Sequence, residues 1–335
     1  MQHMEIKVEP LTTSHPQLIK VTLKNDYLTA SFYNYGARMH QIFAPDKEGL
    51  LENILLSYDR EEDLLADKSY FGATVGPVAG RIKQADWNGY PLEKNCGTHH
   101  IHGGSNGWAY QFWSVETIKE QETIGVRFHL TDEVSGYPGP IKASVTYQLN
   151  KNSLIMTSDW HSEQTTIVNP TSHSYFNLSG NGTRDITSHE LCVKARNLVV
   201  LDQEKIPTGQ LLSMENLPVD FSTNQSMETI LATYPEGLDD CFVLDKSQPM
   251  ALFLHEPTTG RTMTVATTNQ SVVLFSTTGF EADFMINGQP MHSNYGLAIE
   301  PQQIPDLIHQ PTWGSIEIEP LERKQQQTIY TFSCQ

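Results

Sequence analysis

Alternation with a period of two runs through this chain and constrains its fold more than any other feature. Ile141, Ala143, Val145, Tyr147 and Leu149 alternate with Lys142, Ser144, Thr146 and Gln148. Val126, Phe128 and Leu130 alternate with Arg127 and His129, and Ile19, Val21 and Leu23 with Lys20 and Thr22. Met263 with Val265, and Ile316 with Ile318, repeat the pattern. Side chains of a strand point alternately to its two faces, so each run predicts a strand with one buried face. Clusters such as Ala44-Pro45-Asp46 and Ser135-Gly136-Tyr137-Pro138-Gly139 supply the dihedrals of turns between them. Helical signals are short: an acidic start over Asp59 to Leu65, and Met227 to Ala232 behind a Ser226 cap. Neither is long enough for a crossover between parallel strands. The expected fold class is therefore all-β and antiparallel, with two or more packed sheets. No repeat and no Pro-, Gly- or Ser-rich linker divides the chain, so residues 1–335 are expected to form one domain.

Charge narrows the partners. Lys and Arg number 22 against 39 Asp and Glu, a net charge of −17, and such a surface repels polyanions. Nucleic acid and anionic membrane are excluded as expected partners. Cys96, Cys192, Cys241 and Cys334 show neither a C-x-x-C pair nor a zinc spacing, which predicts free thiols in a reducing compartment. The first ten residues lack a signal-peptide core, and no run of about 18 apolar residues exists to span a membrane. The expectation is a soluble cytoplasmic protein, monomeric or homodimeric.

Five stretches carry candidate chemistry. Asn169 to Gly180 reads N-P-T-S-H-S-Y-F-N-L-S-G and sets His173 among Ser172, Ser174, Tyr175 and Asn177, whose polar groups are candidates to orient its ring. The alternative is a buried loop histidine satisfied by neighbours. Gly296 to Asp306 delivers Glu300 after an apolar run and stops at Pro301, so Glu300 is either a solvated strand-end acid or a partly buried base. Arg81 follows the turn Gly76-Pro77-Val78-Ala79-Gly80 and is either a structural ion-pair partner or aimed into a cleft. His99-His100-Ile101-His102-Gly103-Gly104 raises the question of a metal; strand parity puts His100 and His102 on one side, but no third and fourth ligand is suggested, so no metal is expected. Asp239 and Asp240 open a strand, where at most one of the two faces a given pocket and the other faces solvent. Gly103-Gly104-Ser105-Asn106-Gly107 matches a serine-nucleophile elbow, but W-A-Y-Q-F-W after it predicts a strand rather than the helix that motif needs.

Taken together, these stretches resemble the aldose 1-epimerase (galactose mutarotase) family. The resemblance runs through most of the chain. It rests on Asn34-Tyr35-Gly36-Ala37, Val75 to Ile82, Ile101-His102-Gly103-Gly104, Asn169 to Leu178, Ile206-Pro207-Thr208-Gly209, Leu238-Asp239 and Ile299-Glu300-Pro301-Gln302 with Pro305-Asp306. It implies a single antiparallel β-supersandwich and no metal or organic cofactor. The implied substrate is a small sugar: anomers of a free hexose such as galactose or glucose would interconvert through the open-chain aldehyde. Glu300 would be the general base and His173 the general acid, while Arg81, His102 and Asp239 would hold sugar hydroxyls and the ring. Reference pKa values of about 4.3 and 6.5 suit such a pair near neutrality. Acid and base are expected to face each other across one cleft, a sugar ring apart. The chain departs from the family at Pro77, at Gly80, at Phe280 and in Ser293-Asn294-Tyr295; these departures leave the acid and base intact and bear on which sugar is taken. Competing readings are a hexose-6-phosphate 1-epimerase, for which no basic cluster stands beside the motifs, and a non-catalytic sugar-binding module using Trp87, Trp108 and Trp160. A glycosidase using Glu300 with Asp239 is a third.

Overall fold

The computed structural model of the chain describes residues 3–10 and 15–335. The longest alternating run becomes strand Ile141–Asn150, with Ile141, Ala143, Val145, Tyr147 and Leu149 buried and Lys142 exposed. It lies within a nine-stranded sheet. In spatial order the strands are Ser114–Lys119, Ile124–Asp132, Ile141–Asn150, Ser153–Ser162, Lys324–Cys334, Arg261–Thr267, Leu252–Glu256, Glu190–Val193 and Gln225–Ser226. A six-stranded sheet runs Ser174–Phe176, Leu297–Gln302, Ser271–Ser276, Asp239–Leu244, Ala195–Leu201 and Pro207–Ser213. A five-stranded sheet takes Glu5–Pro10, Ile19–Lys24, Thr29–Tyr33, Arg38–Pro45 and Leu51–Asn53 in chain order. Neighbouring strands in all three sheets pair antiparallel. The fold is an all-β antiparallel sandwich, as the alternation predicted.

Aromatic side chains lock the layers together. Phe32 of the five-stranded sheet stacks on Tyr147 of the nine-stranded sheet at 4.5 Å, and the Tyr147 hydroxyl donates to the Ala37 carbonyl at 3.0 Å. Phe176 of the six-stranded sheet packs on Tyr330 of the nine-stranded sheet at 5.5 Å. These residues belong to one hydrophobic cluster fed by all three sheets. Truncating a fully buried ring such as Phe32 to alanine typically costs about 3–5 kcal/mol, because the cavity collapses only in part.

The two predicted helices are present. Glu61–Leu65 starts two residues after Asp59 with three acids in its first turn, and Ser226 Oγ accepts from the Thr229 N–H (3.1 Å) to cap Met227–Thr233. The stretch 108–113 is not the predicted strand: Trp108–Tyr110 forms a 3-10 turn. The Trp108 indole is pulled inward to donate to Asp132 Oδ2 (2.8 Å), and its ring meets Trp113 edge-on, so tertiary anchoring overrides local strand preference. The serine elbow fails structurally as well, because the preceding strand His100–Ile101 pairs antiparallel with Arg81–Ile82.

Strand Leu297–Gln302 differs from expectation in a way that shapes the site. It does not stop at Pro301: Pro301 lies opposite Val272 and Gln302 opposite Ser271. Its pairing with Ser174–Phe176 ends at Ile299, so beyond that point one side of the strand is open and a residue without an N–H is tolerated. Glu300 therefore sits inside a sheet, not at an exposed strand end. All four cysteines are unpaired thiols.

Candidate active site

Three neighbouring strands of the six-stranded sheet make the floor of a cleft of about 380 Å³, within the range of small-molecule sites. Strand parity supplies the floor in pairs: Asp239 with Cys241, Val273 with Phe275, and Glu300 with Gln302. Tyr70, His102 and His173 on loops, and Arg81 on the short strand Arg81–Ile82, close the sides. All five residues singled out from the sequence thus line one cleft.

His173 sits between two short strands, and its main chain is pinned on both sides. Its N–H donates to the Ala73 carbonyl and its carbonyl accepts from the Gly72 N–H, each at 2.9 Å. Gly72 has a positive φ of 69°, and a Cβ there would run into the Met39 carbonyl, so only glycine lets this segment approach. The ring is not oriented by the predicted polar neighbours. Ser172 and Ser174 bond each other, Tyr175 donates to the Ser69 carbonyl, and Asn177 donates to the Arg184 and Tyr295 carbonyls. Aromatic packing orients it instead, with Tyr175 at 5.0 Å, His102 at 5.5 Å and Tyr70 stacked at 5.8 Å.

The decisive distance is 3.4 Å, from His173 Nε2 to Glu300 Oε1. Acid and base candidates are side by side, not a sugar ring apart as expected. Asn169 and Thr171 hold their strands together: Asn169 accepts from the Gln303 N–H (2.9 Å) and donates to the Gln303 carbonyl (3.1 Å), while the Thr171 hydroxyl donates to the Pro301 carbonyl (3.0 Å). The Asn169 carbonyl also accepts from Ala79 (2.8 Å), which brings the Arg81 segment to the same place.

Burial moves both pKa values away from the reference values. It pushes the Glu300 carboxyl well up, with help from the Asp239 charge and against Arg81. It pushes the His173 imidazole down to about 4, with Asp67 opposing. The physical cause is shared, since a low-dielectric site disfavours both charged forms. The pair therefore carries one proton between these limits, and burial favours that proton on Glu300. Glu300 Oε2 and His173 Nδ1 are buried and have no hydrogen-bond partner among the described residues.

Arg81 and Asp239 face each other at 3.9 Å, both partly exposed, so their charges remain available to a ligand. His102 follows the strand His100–Ile101 in the left-handed region at φ 54°, which turns it out of register with His100. The predicted shared face of these two histidines is thus broken: His100 is buried against Tyr137 and the Glu93 carbonyl, away from the cleft. His102 Nδ1 accepts from the Gly80 N–H (3.2 Å), which leaves its proton on Nε2. Burial, then His173 and Arg81, hold its pKa well below the usual value, so it is a neutral donor. Among the described residues no group of three His, Cys, Asp or Glu is placed to hold a metal ion.

Other expectations are corrected. Asp240 is half-buried instead of solvent-facing, and its carboxylate accepts from the Asp239 N–H (3.2 Å). Trp87, Trp108 and Trp160 are core residues, not sugar platforms. The cleft's aromatic groups are Tyr70, Tyr175, Phe275 and Phe280, the last of them one of the family departures. Tyr70 has φ 60°, a strained conformation for a bulky residue that no sequence pattern announces. Lys68 and Lys205 also line the cleft beside Arg81, so cations that are scattered in sequence converge in space. Of the other departures, Gly80 lines the cleft and Pro77 does not.

The antiparallel β-sandwich matches solved galactose mutarotase-like structures. The galactose 1-epimerase of Lactobacillus acidophilus NCFM superposes with a TM-score of 0.86 at 24% identity, covering 100% of this chain and 99% of that one. An aldose epimerase homologue from C. elegans gives 0.82 at 26% identity, over 92% of this chain and 96% of that one. The chain belongs to the aldose 1-epimerase family, whose sequence model matches residues 20–331. It is 31% identical over 328 residues to the galactose mutarotase of Bos taurus, covering 94% of each chain. To the aldose 1-epimerase of Streptococcus thermophilus it is 29% identical over 318 residues, covering 90% of each. Family members are carbohydrate epimerases. Among the described residues no helix is long and apolar enough to cross a membrane.

Proposed function

We propose that this chain is an aldose 1-epimerase acting on free hexoses such as galactose or glucose, as a single cytoplasmic domain, with Glu300 as base and His173 as acid. The observation that carries the reading is the 3.4 Å separation of His173 Nε2 and Glu300 Oε1 in a buried cleft. Ring opening removes a proton from the C1 hydroxyl and adds one to the ring oxygen. Both oxygens are bonded to C1 and so lie next to each other. Groups that serve them must also be neighbours, which is why adjacency suits the chemistry better than a pair separated by the whole ring.

The reactive form is the tautomer with the pair's single proton on His173: in the opening step the Glu300 carboxylate takes the C1 hydroxyl proton while the His173 imidazolium protonates the ring oxygen. The C1–O5 bond breaks and C1 becomes a carbonyl. Both side chains leave the step uncharged, the state that burial favours. Rotation about C1–C2 presents the other carbonyl face, and the reverse transfers close the ring. Arg81 favours the carboxylate form of Glu300 before the step. His102, through Nε2–H, and Arg81 and Asp239 bind hydroxyls.

Polarimetry on freshly dissolved α-D-galactose and α-D-glucose tests the reading, with glucose 6-phosphate and a methyl glycoside as further arms. Acceleration with the free sugars and inertness toward the glycoside are expected. Action on the phosphate alone would favour the hexose-phosphate reading that Lys68 and Lys205 bring within reach, and cleavage of the glycoside would favour a glycosidase.

Two predictions follow from Asp239 and the shared proton. Activity needs one proton on the pair: below the lower limit both groups hold one and no base remains; above the upper limit neither does and no acid remains. The rate against pH for kcat/KM should therefore be a bell with its acid limb at about 4, where His173 titrates, and its alkaline limb above the ordinary carboxylate range. Asp239→Asn removes the charge that helps raise Glu300, so its alkaline limb should move to lower pH. The same variant should raise KM by about tenfold with kcat little changed, as expected for lost binding to a hydroxyl. An alkaline limb unmoved in Asp239→Asn would contradict the assignment of that limb to Glu300.

A further inference from the structure

We propose that Gln302 is a sugar-binding residue, its side-chain amide bonding a hydroxyl of the bound hexose remote from C1, and that it contributes to the choice among hexoses. This rests on the epimerase reading of the cleft and extends it to a residue with no role so far. Gln302 lies two residues beyond Glu300 on strand Leu297–Gln302, so parity turns both side chains to the same face. Both line the cleft.

The residue is only 1% exposed, and its Oε1 is buried without a hydrogen-bond partner among the described residues. Buried amides are seldom left so, and an unfilled acceptor at the wall of a ligand cleft points to a ligand donor. The next residue makes the contrast. Gln303 donates to Asn269 Oδ1 (3.1 Å), its N–H goes to Asn169 Oδ1 (2.9 Å), and it does not line the cleft. The main chain under Gln302 is rigid: it is paired with Ser271, whose hydroxyl also donates to the Gln302 carbonyl (2.8 Å). Gln302 is therefore not a flexible surface glutamine.

Spacing selects the part of the sugar. Two strand residues advance by about 6.6 Å, which exceeds the separation of vicinal hydroxyls but fits within one pyranose. With C1 at Glu300, the amide meets a hydroxyl at C3, C4 or C6 rather than the one at C2. The amide's two ends differ in role, carbonyl acceptor and NH₂ donor, so it can serve a hydroxyl in either direction.

The test pairs Gln302→Met, of similar shape but without the amide, with a panel of 2-, 3-, 4- and 6-deoxy hexoses. Both calorimetric Kd and polarimetric kcat/KM are measured. Gln302→Met should weaken galactose or glucose binding about tenfold, with kcat changed much less. One of the 3-, 4- or 6-deoxy sugars should bind wild type about as weakly as the parent sugar binds the variant, and Gln302→Met should weaken that sugar no further. The 2-deoxy sugar should show the full tenfold loss in the variant. Parent-like affinity in Gln302→Met, or an undiminished loss with every deoxy sugar, overturns the proposal. If Gln302→Met does not fold, a crystal structure of wild type with galactose decides: a Gln302 amide more than 3.5 Å from every sugar oxygen overturns it. Wild type that binds hexoses but does not interconvert anomers would sink the epimerase reading and leave the binding role of Gln302 to be read from the Kd series alone; wild type that binds no hexose sinks both.

Discussion

Glu300→Gln should abolish anomer interconversion while leaving sugar binding in place. Glutamine keeps the size of the side chain and both positions from which it hydrogen-bonds, but it cannot accept a proton from the C1 hydroxyl. A positioned general base is worth about 10²–10⁴ in rate, and a loss of that size is the expected fall in kcat. The variant should also fold at least as well as wild type at neutral pH. Burial raises the Glu300 pKa above its unfolded value, so the folded state holds this proton more tightly. Stability from that group is then full at low pH and declines as pH rises through the carboxylate range toward the raised folded value. Glutamine, uncharged at every pH, removes the decline. Thermal unfolding with and without galactose, beside polarimetry, separates the outcomes. Full activity in Glu300→Gln ends the base assignment, whereas inactivity with lost folding would leave the rate data without meaning.

His173→Asn should lose most of kcat, again by about 10²–10⁴, because it removes the proton donor assigned to the ring oxygen. Its linkage has the opposite sign from that of Glu300. The folded His173 titrates at about 4, below the unfolded imidazole, so wild type loses stability as pH falls from the ordinary histidine range toward 4. Asparagine removes that loss. The double variant Glu300→Gln with His173→Asn sharpens the test. Groups that exchange one proton in one step act as a unit, so the double variant should be little worse than the worse single. Rate losses that multiply would indicate two independent roles and contradict the shared-proton mechanism.

The fold was largely legible because a buried strand face leaves a period-two trace that needs no distant information. The run from Ile141 to Leu149 and the Ser226 cap are local, and both appear in the structure as read. The failures came where long-range contacts decide. Trp108 turned inward because Asp132 offers its indole a partner, and Pro301 did not end its strand because the neighbouring ladder had already stopped. The three tryptophans lie in the core because large rings bury well, whereas Tyr70, which does reach the cleft, depends on a strained backbone angle invisible in sequence. Gln302 was within reach of parity from Glu300, once the strand was known to continue past Pro301.

What the sequence by itself determined was the supply of parts: an antiparallel β chain with a carboxylate, an imidazole and three polar residues on separate segments that resemble one family. Tertiary structure decided how those parts work together. It put Glu300 and His173 3.4 Å apart, and by burying both it displaced each pKa from the ordinary value that the sequence suggests. The physical reason is that periodicity and residue type are local properties, whereas separation and dielectric depend on the chain as a whole. A carboxylate and an imidazole can be named from a sequence; that burial disfavours the charged form of each becomes visible only when the sheets have closed around them.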